Sequence, residues 1–582
     1  MAGTAPGPLS GSRIVAAALA GILVLGVLLR LRGLSVGLWL DEAWVANSVL
    51  ADSLAGMFVY ERWLQTTPPV VLLLVRSTTE VLGTSNAAFR LVPWLFGAGA
   101  IAGFGLLARK VLSPWVAVLA TALVVFSPTA IDYSRELKQY SAELCCGTIL
   151  LALSWMGWTR DRPLRPWIVL PVLFAAPLAA YGSVFLLPGL VLSQIRPFPE
   201  AVADARLAEG RAGRSGAGWS GTAWSGAGWA DAGWIRAALR RCLAMAIVIW
   251  ASGAVIIQLL QRNASPLLLR FWWTPDPVGL AAWLEGACLR LGMLLSLLPG
   301  VGGFLGNPAG MYVALACVGG ILAAGTLAAA RAGGERRRET WIVVGVCGFP
   351  IAAMFAAHLL HLYPWQDRTS LILLSALVLL IAHPLDTLCG RGSLAGDSTR
   401  RFVVASLATP LFTLLVAAGV EREVRRPVAS KEDVQGAVEF LATAAGPGEP
   451  IYVHASVREA FSLYSRLRNW SPPGLLWGES GWPCCPRGLE RRESPGEILE
   501  RHDLARLVPD GYRGRVWAIV TERPGHREYL GVDLRRLLLR DMEVIGCGAP
   551  VERGFDNVLV LACDHGGAQL GESVGGRGGG GE

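Results

Sequence analysis

Long apolar runs recur along the whole of this sequence, from "RIVAAALAGILVLGVLLRL" at 13–31 to "FVVASLATPLFTLLVAAGV" at 402–420. A run of about 18 apolar residues crosses a bilayer as a helix, and a chain that repeats such runs has few other folds open to it. Composition agrees. Of all residues 53% are hydrophobic and 16% are charged, against roughly 25% charged in soluble domains. The chain reads as a polytopic α-helical membrane protein, which excludes a soluble enzyme.

Spans are expected near 14–31, 90–108, 114–131, 140–158, 167–180, 181–195, 238–260, 309–330, 341–360, 369–386 and 402–420, about eleven in all. The first follows Arg13 and runs into Arg30 and Arg32 with no small-residue cleavage site, so it reads as an uncleaved span. The pair 167–195 also fits one span plus a re-entrant piece. "PPVVLLLVRSTTEVLG" (68–83) is short and carries Arg76 and Glu80, which suits an amphipathic helix lying in the interface. The stretch 283–303 is broken by Gly and Pro and reads as interfacial or re-entrant.

The net charge is +8, but the basic clusters sit in short loops between apolar runs. This is the bias that orients membrane proteins, and it argues against nucleic acid as a partner. Arg109-Lys110, Arg160 to Arg165, Arg196 to Arg214, Arg331 to Arg338 and Arg391 to Arg401 all fall on one side, with the N-terminus. That side is expected to be cytoplasmic in a plasma membrane, which leaves the C-terminal region outside.

Three regions stand apart from the spans. Residues 197–235 form a low-complexity insert in which Trp219, Trp224, Trp229 and Trp234 recur every five residues. That period matches neither helix nor strand, and an unordered cytoplasmic insert is expected. Between 422 and 565, strands at 448–456, 514–522 and 551–563 alternate with helices at 431–445 and 527–541. An extracytoplasmic α/β domain of about 130 residues is expected. Residues 566–582 are Gly-rich and read as a disordered tail. Of the 11 cysteines, Cys484, Cys485, Cys547 and Cys563 lie in the C-terminal region, where an oxidising space permits a disulfide of undetermined pairing.

The charges at the outer ends of the spans carry the chemistry. "GLWLDEAWVANSV" (37–49) sets Asp41 and Glu42 between two tryptophans just after span one. Helix-dipole pairing explains one carboxylate at a helix start but not an acidic pair beside hydrocarbon. "IDYSRELKQYSAEL" (131–144) carries Arg135 and Lys138 three apart. On a helix they would share a face and suit a phosphate, although Asp132 and Glu136 also permit a merely solvated, balanced loop. "HLLHLYPWQDRTSLILL" (358–374) places Arg368 on the outer side, against the orientation rule, so it needs an anionic partner. His358 and His361 in the same stretch lack a carboxylate cluster and make a poor metal site. Arg90 opens the second span as an anchor.

The ordered set "LWLDEAW", "TTPPV", "RLVPWLFG", "SRELKQYS" and "YPWQDRTSLILL" resembles the GT-C superfamily of polytopic glycosyltransferases over about residues 14–420. The nearest likeness is to bacterial relatives of the protein O-mannosyltransferase and aminoarabinose transferase families. Thr67 stands where many relatives have His before the two prolines, and Arg62 is the only cation where some carry a donor-binding Lys. The resemblance implies a domain over 1–421, with a first outer loop at 32–89. It implies transfer of mannose or another monosaccharide from a polyprenyl-phosphate donor to a protein, lipid or cell-wall acceptor.

Asp41 would be the general base, with Glu42 second. Arg135, Lys138 and Arg368 would hold the donor phosphate, and Tyr133, Gln139 and Tyr363 would position substrate. Attack opposite the leaving phosphate would invert the anomeric centre. No resident cofactor is expected, although Mg or Mn is used by some relatives. The competing classes are a flippase for lipid-linked sugar and a non-catalytic envelope-assembly protein.

Overall fold

The computed structural model describes residues 8–59, 66–160, 162–195, 223–263, 280–301, 307–331, 334–388, 398–427, 430–478, 504, 508–509, 512–522 and 533–565. Seven helices among them are long and apolar enough to cross a membrane, and an eighth span forms if the bent pair Pro114–Val125 and Pro128–Ser134 is one element. The 55° bend between its halves falls at Phe126 to Ser127. Pro128 ends the first half there, because a proline disfavours helix at the residue before it. Pro166–Ala179 and Tyr181–Ile195 are shorter apolar helices, and Ser398–Arg425 is a further long one. The chain is a multi-pass membrane protein whose spans follow the apolar runs.

One buried cluster joins the helices Asn86–Val111, Pro114–Val125, Tyr140–Thr159, Pro166–Ala179 and Leu374–Leu388. Arg30 lies fully buried at the end of the first helix. Its guanidinium donates to the backbone oxygens of Gly26 and Val125 at 3.0 and 2.9 Å and to Ser134 Oγ at 3.2 Å. A charge with three such acceptors ties the first span to the bent pair. At Gly26 a Cβ would run into a Val125 methyl, so glycine permits the close approach.

One expectation changes here. The helix Ala223–Asn263 begins inside the Trp-repeat insert, so Trp224, Trp229 and Trp234 stand on helical backbone. The apolar span below propagates the helix upward despite the poor period. Residues 197–222, with Trp219, lie outside the described residues, as do Arg62, Cys484, Cys485 and the 566–582 tail. The stretch 283–303 contains a 16-residue helix, Leu280–Leu295. The 68–83 stretch is the helix Pro69–Leu82, with Pro69 in its first turn as its lost N–H allows.

The C-terminal region holds a mixed five-stranded sheet in the order β2-β1-β3-β5-β4. The strands are β1 Ile451–Val453, β2 Leu475–Trp477, β3 Gly514–Thr521, β4 Val551–Phe555 and β5 Val558–His565. β1 pairs in parallel with β2 and β3, and β5 runs antiparallel between β3 and β4. The single strand read at 551–563 is a hairpin. Its turn, Asp556-Asn557, has Asn557 at φ 53°, a conformation Asn tolerates. β2 and the helix Arg458–Leu467 escaped the sequence reading. The helix Leu534–Val544 falls within and just beyond the helix expected at 527–541, whose first six residues lie outside the described set. Cys547 and Cys563 form a disulfide.

Candidate active site

The helix Leu40–Val49 begins directly after the loop that leaves span one, with Asp41 and Glu42 in its first turn. Acidic side chains there complement the helix dipole. Successive residues on a helix point about 100° apart, so the two carboxylates diverge. Asp41 remains partly exposed, whereas Glu42 is fully buried.

Asp41 Oδ2 lies 3.9 Å from Lys138 Nζ and 3.9 Å from Arg368 Nη1. Three segments distant in sequence thus meet: the start of the first outer-loop helix, the turn before Tyr140–Thr159, and the turn before Thr369–Leu373. Both contacts are too long for hydrogen bonds and hold by charge alone. The Arg368 side chain is aimed by Gln366, whose Oε1 accepts from its Nε at 3.1 Å. Burial, with Arg368 close by, pushes the Lys138 ammonium below the usual lysine range, and Asp41 opposes that shift.

Glu42 has other partners. Arg90 Nε donates to its Oε1 at 2.8 Å and Arg90 Nη2 to its Oε2 at 2.5 Å. The backbone N–H of Leu137 also donates to Oε1, at 2.7 Å. Glu42 therefore links the loop of Asp41 to the loop of Lys138. Arg90, read from sequence as an anchor, is the other half of that link.

Arg135 is held differently from Lys138. Residues 135–139 are not helical, so the three-residue spacing does not put the two cations on one face. Arg135 pairs with Asp132 at 2.6 Å and Glu423 at 3.0 Å, in a cleft also lined by Glu136, Arg426 and Lys431. Each cation of that group faces a carboxylate: Arg426 meets Asp132 at 2.7 Å and Lys431 meets Glu136 at 2.5 Å.

Of the expected positioning residues, Tyr133 packs edge-on against Tyr140, with ring centres 4.7 Å apart. Tyr363 packs edge-on against Phe185 at 5.1 Å. Gln139 starts the helix Tyr140–Thr159, its carbonyl accepting from Glu143 N at 3.0 Å. Among the described residues no three His, Cys, Asp or Glu side chains gather as a metal site.

The C-terminal α/β unit grips the Asp41 helix, which sequence reasoning did not foresee. Leu38 N donates to the Tyr464 hydroxyl, and Leu40 N donates to Glu432 Oε2 at 3.2 Å. Asn47 Nδ2 donates to the carbonyl and carboxylate of Glu459 at 3.1 and 3.3 Å. Leu38, Ala43, Val45 and Val49 share one apolar core with Val434, Val438, Phe461 and Ile519. The only signal was the apolar period of 40–50, which needed a partner that the spans did not provide.

A sequence model of the family described as dolichyl-phosphate-mannose-protein mannosyltransferase matches residues 66–193. No curated protein sequence matches the chain. Among solved structures, ArnT from Cupriavidus metallidurans in the apo state is 14% identical, with a TM-score of 0.51 over 95% of this chain and 98% of that one. The same ArnT bound to undecaprenyl phosphate gives 14% identity and a TM-score of 0.49 over 96% and 98%. The Archaeoglobus fulgidus oligosaccharyltransferase complex with Zn and sulfate gives 12% and 0.45 over 94% and 73%. The likeness to apo ArnT shows a shared fold, and the latter two are too slight to build on. The chain therefore has the fold of apo ArnT, a multi-pass helical membrane architecture. Over its second to sixth expected spans it is similar to the mannosyltransferase family just named.

Proposed function

We propose that this protein transfers a monosaccharide from a polyprenyl-phosphate donor to an acceptor hydroxyl on the extracytoplasmic face of the plasma membrane. The observation that carries this reading is the single carboxylate of Asp41 set between the two cations of Lys138 and Arg368. The matched family's description names dolichyl-phosphate-mannose, an isoprenoid-phosphate sugar, which supports the donor class.

Asp41 takes the proton of the acceptor hydroxyl as that oxygen attacks the anomeric carbon. The bond from that carbon to the phosphate oxygen breaks, and its electron pair leaves on the phosphate. Lys138 and Arg368 stabilise the charge there, so no general acid is needed. The bound phosphate competes with Asp41 for these cations, which frees the carboxylate to act as base. Attack opposite the phosphate inverts the centre. Glu42 serves by position, fixing the Asp41 and Lys138 loops through Arg90 and Leu137 N. Arg135, committed to Asp132 and Glu423, braces the cleft beside them.

Orientation follows from loop charge, with the N-terminus cytoplasmic and the 422–565 domain outside. The Cys547–Cys563 disulfide supports that side, since such bonds persist in oxidising compartments. The test is sugar transfer by membranes carrying wild type or Asp41→Asn, supplied with labelled polyprenyl-phosphate sugars and cell-envelope acceptors. Loss of turnover by a factor of about 10²–10⁴ with donor still bound supports the base. Normal turnover by Asp41→Asn overturns it.

A further inference from the structure

Glu143 sits in the first turn of the helix Tyr140–Thr159 and is 2% exposed. Among the described residues its Oε2 has no hydrogen-bond partner and its carboxylate meets no cation. Burying a carboxylate without a donor or a cation is costly, so one retained within a membrane helix marks a site for something that binds there.

The surroundings point the same way. The helix packs against two tight turns, Tyr181–Phe185 and Thr369–Leu373, which also touch each other. At Gly147, one turn beyond Glu143, a Cβ would stand 2.6 Å from the Ile372 carbonyl oxygen, so glycine lets the helix close on the second turn. Each tight turn carries a buried hydroxyl without a partner among the described residues, Ser183 and Ser370. Tyr140 opens the helix of Glu143 two residues after Lys138, and Tyr181 opens the first tight turn. Tyr363 packs on Phe185 of that turn with ring centres 5.1 Å apart, while the second turn follows directly on Arg368. The cluster therefore adjoins the Asp41 site.

We infer that Glu143 recognises the sugar being transferred, its carboxylate accepting hydrogen bonds from ring hydroxyls of a neutral pyranose. The inference rests on the donor reading above. A polyol offers several O–H donors, and a carboxylate accepts two at once. The rings of Tyr140, Tyr181 and Tyr363 provide apolar surface for the C–H faces of the sugar, and Ser183 and Ser370 provide further hydrogen bonds. Among the described residues no group of three His, Cys, Asp or Glu side chains forms a metal site at Glu143 or elsewhere.

The test measures binding by the purified full chain in detergent. The probes are polyprenyl phosphate and its mannosyl, glucosyl and galactosyl forms. Wild type is expected to bind at least one glycosylated form more tightly than bare polyprenyl phosphate. Glu143→Gln should remove that gain, about tenfold for a lost charged hydrogen bond, and leave bare polyprenyl phosphate binding unchanged. Its melting temperature without ligand should hold or rise, since a buried carboxyl oxygen without a partner is replaced. A gain that survives in Glu143→Gln overturns the inference, as does wild type showing no gain for any sugar, or a fall in melting temperature. If wild type binds neither bare nor glycosylated polyprenyl phosphate, the donor reading falls and takes this inference with it.

Discussion

Glu42 and Arg90 form a buried two-point pair, with hydrogen bonds of 2.8 and 2.5 Å joining the first outer-loop helix to the start of the second span. Arg90 also donates to the backbone oxygens of Gly33, Leu34, Val36 and Gly37, the residues that lead into Asp41. One guanidinium thus fixes the path by which the chain leaves span one and reaches the carboxylate of the site.

Arg90→Ala should therefore act on both stability and turnover. It leaves Glu42 buried without its cation, which costs about 3–5 kcal/mol when one partner of such a pair is removed. The expected result is a lower melting temperature in detergent and a fall in kcat. The double variant Glu42→Gln, Arg90→Met removes both charges and should recover most of the melting temperature. A double variant no more stable than Arg90→Ala would show that the carbonyl contacts of Arg90 dominate.

Lys138 should set an alkaline limit on donor binding. Its ammonium must be charged to hold phosphate, and burial has lowered its pKa below the usual lysine range. The cation is lost as pH rises through that lowered pKa, so the donor KM should climb on the alkaline side earlier than an ordinary lysine would allow. Lys138→Arg keeps its charge throughout and should flatten the climb. Donor KM measured against pH for the two proteins checks this.

Breaking the disulfide should loosen the α/β unit. Cys547 and Cys563 are 16 residues apart, and closing a loop of that size contributes about 3 kcal/mol. Cys563 lies on β5, opposite Val516 of β3. Cys563→Ala should lower the melting temperature, and reductant should do the same to wild type but nothing further to the variant.

The spans were legible because hydrocarbon imposes a length and a composition that any chain must show locally. Asp41, Lys138 and Arg368 were legible because a charge at the end of an apolar run stands out. Their convergence was not legible from spacing, since Lys138 and Arg135 lie in a non-helical turn and face different partners. Glu143 was hidden because it sits within the apolar run of a span, where its neighbours set the reading. The strand β2, three residues long and half-buried, carries too little pattern to be seen. The dependence of the Asp41 helix on Glu432, which stands 392 positions beyond Leu40, is set by tertiary packing alone.

That dependence makes the last prediction. Leu38 N–H and Leu40 N–H, on either side of the tryptophan that precedes the helix, both donate to side chains of the α/β unit, Tyr464 and Glu432. Tyr464→Phe removes one acceptor and leaves Leu38 N–H buried and unsatisfied, at a cost of about 1–3 kcal/mol. The helix that carries Asp41 then loses part of its grip, while Lys138 and Arg368 stand on other segments and keep theirs. The expected kinetics are a lower kcat with donor KM unchanged. Glu432→Gln keeps an acceptor for Leu40 N–H and should be milder. If instead Tyr464→Phe raises the KM for acceptor and leaves kcat intact, the α/β unit binds acceptor and does not position the base.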